Sequence, residues 1–168
     1  HTIGRRQRQM CIRDSLHHAC DNGHMELAMA LVDRGADVDA RDVAQRTPLH
    51  ETCYSGHMDL AMALVDRGAD VNAHRTNGCT PLHDACINGN TELVMALVKK
   101  GADVNVRNIN QVTPLHFACA KRNMELAMAL VDRGADVDAK DVNQSTPLHE
   151  ACNNVNKELV MALVDRGA

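Results

Sequence analysis

The chain has 168 residues, 45% of them hydrophobic and 24% charged, with one Tyr, one Phe and no Trp. That length suits one domain of ordinary size with an aliphatic core. Eighteen Lys and Arg against 22 Asp and Glu give a net charge of −4, too little cation to neutralise a run of nucleic-acid phosphates. The longest apolar runs, residues 27–32 and 93–98, are far shorter than the roughly 20 residues of a membrane span, so neither nucleic acid nor membrane is an expected partner. Seven cysteines make an odd count without the spacing of a secreted disulfide scaffold. A reducing, cytoplasmic setting is expected.

At the start of the chain, residues 5–14 (RRQRQMCIRD) show no apolar period or cap and carry charge opposite to the remainder. They resemble a translated sequencing adapter, with residues 1–4 as index sequence, and residues 1–14 are expected to be a non-native tail. A mitochondrial presequence would need an amphipathic helix that this stretch does not promise. Without Arg5, Arg6, Arg8, Arg13 and Asp14 the rest has 14 basic and 21 acidic residues, a net charge of −7.

From there the chain repeats. Thr47-Pro48-Leu49-His50 recurs at Thr80, Thr113 and Thr146, and Gly-Ala recurs at Gly35, Gly68, Gly101, Gly134 and Gly167, all at a period of 33. Five units follow: 9–41, 42–74, 75–107, 108–140 and 141–168. The first is damaged and the last unfinished, and both ends look cut. In each full unit a Thr N-cap and a Pro at the first helical position open a short helix. A left-handed residue ends it, as at Gly23, Gly56 and Gly89. A second helix follows, in which Leu60, Ala63 and Leu64 share one stripe at i, i+3, i+4, and Gly68 stops it. The remainder of the unit is extended and turn-rich, a hairpin or loop finger.

The four in-phase TPLH copies, the E-L-x-x-x-L-V of the second helix and GADVNA at residues 68–73 resemble the ankyrin repeat over residues 16–168. The resemblance implies an all-α repeat solenoid of helix-turn-helix units with hairpin or loop fingers, whose first helices and fingers line a concave face. It has departures. Arg122 and Val155 replace the turn glycine, and Gln45, Gln111 and Gln144 stand where Gly78 occupies the finger tip. Because Val at positive φ is strained, Asn123 or Asn156 is expected to take the left-handed role instead.

His17, His50, His83, His116 and His149 share one phase, each three residues before a cysteine (Cys20, Cys53, Cys86, Cys119, Cys152). Each repeat offers two of the four ligands that tetrahedral zinc needs, and helices of neighbouring repeats stand roughly 8–10 Å apart. The expected role is therefore structural: Cys as a small apolar residue, and His bonded to the Thr hydroxyl or to neighbouring loop backbone. No metal, cofactor or disulfide is expected. Every candidate acid, base or nucleophile recurs once per repeat, whereas catalysis needs a unique constellation, so the chain reads as a non-enzyme. Met29, Met62, Met95, Met128 and Met161 form a second-helix ladder expected on the convex back, unless the adjacent alanines let the helix rotate inward.

Residues that recur are needed for stacking, and those that vary are free to specify. On the first helices the variation gives Glu51, Tyr54 and Ser55, then Asp84, Ile87 and Asn88, then Phe117, Ala120 and Lys121, and finally Glu150, Asn153 and Asn154. At the fingers it gives Val43, Ala44 and Arg46, then Thr76, Asn77 and Cys79, then Ile109, Asn110 and Val112, and finally Val142, Asn143 and Ser145. The expected partner-binding set is Arg46, Glu51, Tyr54, Ser55, Asn77 and Cys79, with Asp84, Ile87, Asn88, Asn110 and Val112, and beyond them Phe117, Lys121, Ser145, Glu150 and Asn153. Tyr54 and Phe117, the only aromatics, are its expected anchors. The expectation is a monomeric module that binds a protein or peptide, with a bias toward a basic partner. The alternative is a regulatory or substrate-recruiting segment of a larger enzyme or channel.

Overall fold

The computed structural model describes residues 2–168, with side-chain environments from residue 10 onward. Among these residues it contains ten helices and no strand: α1 Thr2–Asp21, α2 Met25–Asp33, α3 Pro48–Ser55, α4 Met58–Asp66, α5 Pro81–Asn88, α6 Thr91–Lys99, α7 Pro114–Ala120, α8 Met124–Val131, α9 Pro147–Asn153 and α10 Lys157–Asp165. Apart from α1, none exceeds nine residues, so each is too short to persist alone and depends on its neighbours. Odd-numbered helices stack on odd, even on even, and each pair packs within its repeat. The odd row is the more closely packed.

The first helices begin as their sequence dictates. Thr47, Thr80, Thr113 and Thr146 are extended N-caps followed by Pro. In the capping box, His takes the place that Glu or Gln usually fills: the Thr47 N–H donates to His50 Nδ1 at 3.0 Å. Because Nδ1 accepts, Nε2 carries the proton, and it donates across to the next finger. His50 reaches the Cys79 carbonyl (3.2 Å), His83 that of Val112 (3.1 Å) and His116 that of Ser145 (3.2 Å). The ring thus bonds both its own cap and the neighbouring loop.

In the second helices the buried stripe differs from expectation. Leu60, Ala61 and Leu64 are buried, as are Leu93, Val94 and Leu97, and Leu126, Ala127 and Leu130. Ala61 replaces Ala63 because these helices face both their own first helix and the adjacent repeats. That rotation also draws Met29, Met62, Met95 and Met128 partly inward against the core, while Met161 remains exposed.

The left-handed turns correct a second expectation. Arg122 and Val155 themselves take positive φ, 59° and 52°, whereas Asn123 and Asn156 keep φ of −88° and −96° as N-caps of α8 and α10. Register decides this. Asn123 N–H donates to the Ala118 carbonyl and Asn156 N–H to that of Ala151, as His24 does to Ala19 and His57 to Thr52, and this closure requires the preceding residue to be left-handed. The Asn side chains then accept from Leu126 and Leu159 N–H.

Helix α1 runs unbroken through residue 14 into residue 15. Met10 and Cys11 are exposed, whereas Ile12 is half-buried. No described helix is long and apolar enough to cross a membrane.

Candidate protein-binding face

The fingers are loops held by side-chain turns rather than β-hairpins. Asp42 Oδ1 accepts from Ala44 and Arg46 N–H, both at 2.8 Å, Asn108 Oδ1 from Asn110 and Val112, and Asp141 Oδ1 from Asn143 and Ser145. This is the local bonding for which Asp and Asn are favoured in turns. One backbone bond then ties each finger to the next: Thr76 N–H to Ala44, Ile109 to Asn77 and Val142 to Asn110. Val43, Thr76, Ile109 and Val142 thereby form a fixed row of exposed β-branched side chains, one per repeat, with Val43 97% exposed and Ile109 64%.

The second finger departs from this plan. Arg75 stands at the turn position of Asp42, Asn108 and Asp141, so no side chain bonds the loop from that site. Gly78 supplies the left-handed tip (φ 77°), with a Gly78-to-Arg75 backbone bond of 2.7 Å. Arg75 is thereby released toward α5, where its Nη2 donates to Asp84 at 2.9 Å. One repeat earlier, Arg46 donates through Nε to Asp42 (2.9 Å) and through Nη1 to Glu51 (3.2 Å). Arg46, Glu51, Arg75 and Asp84, with His50 and Tyr54, line a cleft of about 270 Å³ between α3 and α5.

Glu51 and Asp84 lie at the bottom, 6% and 2% exposed. Burial pushes the Asp84 carboxyl up to about 7 despite the opposing pull of Arg75. Burial likewise pushes His50 and His83 down to about 4, because a buried imidazolium would lose water and could no longer accept from Thr N–H.

The expected binding residues separate into three groups. Tyr54, Asn77, Asn88, Asn110, Lys121 and Asn153 are exposed. Arg46, Ser55, Ile87, Val112, Phe117, Ser145 and Glu150 are half-buried. Glu51, Asp84 and Cys79 are buried, so Cys79 has no side chain to offer a partner; it packs beside Asn108, whose Nδ2 donates to its Sγ. Several of the others also join repeats. Asn88 Nδ2 donates to the Tyr54 carbonyl and Ser55 Oγ to Asp21, and Phe117 sets its ring edge-on to His83 at 5.8 Å.

Residue-by-residue variation had not placed Arg75 in the set, and its signal was the break in the Asp/Asn turn position. The row at 43, 76, 109 and 142 was visible as variation, but only the fingers' geometry turns those side chains outward together. The five buried cysteines are free thiols, and burial pushes Cys20 and Cys119 up to about 12, which leaves them unreactive.

A family model described as ankyrin repeats (3 copies) matches residues 16–108 and 107–168. A comparison with curated proteins finds no match. The capped first helices, glycine-closed second helices and stacked fingers agree with that model over nearly the whole chain: it belongs to the ankyrin-repeat family.

Proposed function

We propose that the chain is a non-enzymatic, monomeric module of the cell interior that binds a protein or peptide partner across its finger tips and first helices. One observation carries this reading: the exposed row Val43, Thr76, Ile109 and Val142, held by finger-to-finger backbone bonds. Aliphatic side chains such as Val43, Ile109 and Val142 are normally buried, and an aligned row of them on an ordered scaffold suits a docking surface. Tyr54 extends the surface onto α3. Because the fingers are already ordered, a partner would meet a surface that loses little entropy on binding. The acidic balance of the chain favours the approach of a basic partner at long range.

Site-specific photocrosslinking tests the proposal. A crosslinkable residue at position 109 should capture a discrete partner from lysate, and one at position 95, on the second-helix row, should not. Capture from 95 alone would move the binding face to the back of the stack and overturn the reading. An Ile109→Ser/Val142→Ser variant should lose the partner while melting within a few degrees of the parent.

A further inference from the structure

The outward side of the fingers carries a charge opposite to that of the chain. In residues 41–46, 74–79, 107–112 and 140–145 the exposed charged groups are Arg41, Arg107 and Lys140, with His74 at their position in the second finger, and no carboxylate there is exposed. The two finger acids, Asp42 and Asp141, are half-buried, and each gives Oδ1 to two N–H groups of its own loop. At the finger bases Asp37, Asp70, Asp103 and Asp136 each accept an N–H two residues on, Asp39 accepts that of Asp70, and Asp138 is exposed two residues before Lys140. Among the described residues only Arg107 of this row makes an ion pair, with Asp136 at 3.6 Å. Arg41 and Arg107 donate through Nη1 to the His74 and Lys140 carbonyls, at 2.7 and 3.0 Å, and both stay exposed. A row of cations thus runs beside Val43, Thr76, Ile109 and Val142, two residues away along each finger, with the intervening residue turned inward.

We propose that the partner seated on the fingers is an extended acidic segment, with apolar side chains on Val43, Ile109 and Val142 and carboxylates against Arg41, Arg107 and Lys140. The inference rests on the binding-face reading above and gives its partner a chemistry. Complementary charge favours it: a basic segment would meet three exposed cations at contact, and like charges brought together there are costly. The acidity of the chain as a whole lies outside the finger tips, and beyond about 10 Å it is screened at ordinary salt. At contact the fingers' own charges decide. Spacing favours an extended chain, because one in the polyproline II conformation returns to the same face every three residues, about 9 Å on, and neighbouring repeats stand about 8–10 Å apart. Such a segment offers one side chain to each finger without bending. Exposed ion pairs add little individually, so the apolar row supplies most of the affinity and the cations select the sign of the partner's charge.

The test is an NMR titration of the full chain with an acetylated, amidated peptide of four Asp-Pro-Leu units, which proline keeps extended. The same peptide with Lys in place of Asp is the opposite-charge probe. The expected result is a saturable shift of the backbone amides of Val43, Ile109 and Val142 with the acidic peptide, weakening several-fold as salt rises from about 0.05 to about 0.5 M, and a much weaker response to the basic one. Lys140→Glu changes a fully exposed side chain; it should keep the melting temperature and weaken the acidic peptide about fivefold. Equal or tighter binding of the basic peptide, no saturable shift with the acidic one, or unchanged affinity in Lys140→Glu overturns the inference. Crosslinking at position 109 is read independently of the peptides, so the partner's acidic character can fail while the binding face stands.

Discussion

Val155 holds a β-branched side chain at φ 52°, a conformation that costs a non-glycine residue about 1–2 kcal/mol. Val155→Gly should therefore stabilise the chain and raise the melting temperature by about 2–4 °C, and a fall would show that the strain is relieved elsewhere. The reverse change, Gly56→Val, should be costly because it puts a β-branched residue at φ 78°, and its Cβ would also push Asn88 away from the Tyr54 carbonyl it bonds. Titration is the second residue-scale test. The unfolded chain protonates His50 and His83 below 6.5, whereas the fold resists to about 4, so each removes about 1.4 kcal/mol per pH unit as pH falls through that window. Above 6.5 their contribution is complete. Asp84 acts oppositely: between about 7 and 3.8 the fold keeps a proton that the unfolded chain has lost, which favours the fold on acidification. Burial lowers His116 as well, so three histidines act against one aspartate. The melting temperature should fall below pH 6.5, and Asp84→Asn should make the fall steeper. Identical slopes in the two proteins would refute these protonation states.

The elements differ in how they are capped, and that difference is measurable. Asn90, Asn123 and Asn156 cap α6, α8 and α10 with side-chain bonds, while His24 and His57 begin α2 and α4 without one. His57→Asn should add the missing cap and stabilise by about 0.5–1 kcal/mol. The bond that His57 makes to the Asp21 carbonyl would be lost, but Asn123 reaches the carbonyl of the preceding repeat's turn glycine, Gly89, so an Asn at 57 should replace it with a bond to Gly23. Denaturant unfolding measures the gain, and a loss would mean that the imidazole link outweighs the cap. On the first helices Phe117→Ala should cost about 2 kcal/mol, since the ring is half-buried against His83. Tyr54→Ala, at an exposed site, should stay within about 0.5 kcal/mol. Of the two aromatics, Tyr54 is thus the clean probe of binding.

Over the whole molecule, stability is a sum of neighbour interactions, and the units do not share it equally. Cys20, Cys53, Cys86 and Cys119 are buried while Cys152 is exposed, and His149, alone among the four TPLH histidines, is exposed with no finger carbonyl for its Nε2. Hydrogen exchange should therefore be slowest in α5 and α6 and fastest in α9 and α10. Uniform protection would contradict a nearest-neighbour stack. Deleting residues 1–14 should leave the melting temperature nearly unchanged, and a large drop would show that the start of α1 packs through Ile12 and belongs to the fold.

The period of 33, the Thr-Pro start of each first helix, the second helices and a structural role for the histidines were legible in the sequence, because each rests on local chemistry repeated in phase; that one ring bonds both its Thr and the next loop was not. The role of Arg75 was half legible, as a missing Asp or Asn at a turn position. Tertiary structure alone decided the rest. Closure bonds across each turn forced Arg122 and Val155, rather than the asparagines, into the left-handed region. Packing on two sides rotated the second helices and drew four methionines inward. Stacking also sorted like-looking variable residues by depth, sending Glu51, Asp84 and Cys79 inside and leaving the β-branched finger side chains facing outward. Burial depends on what the neighbouring repeat covers, and no single repeat carries that information.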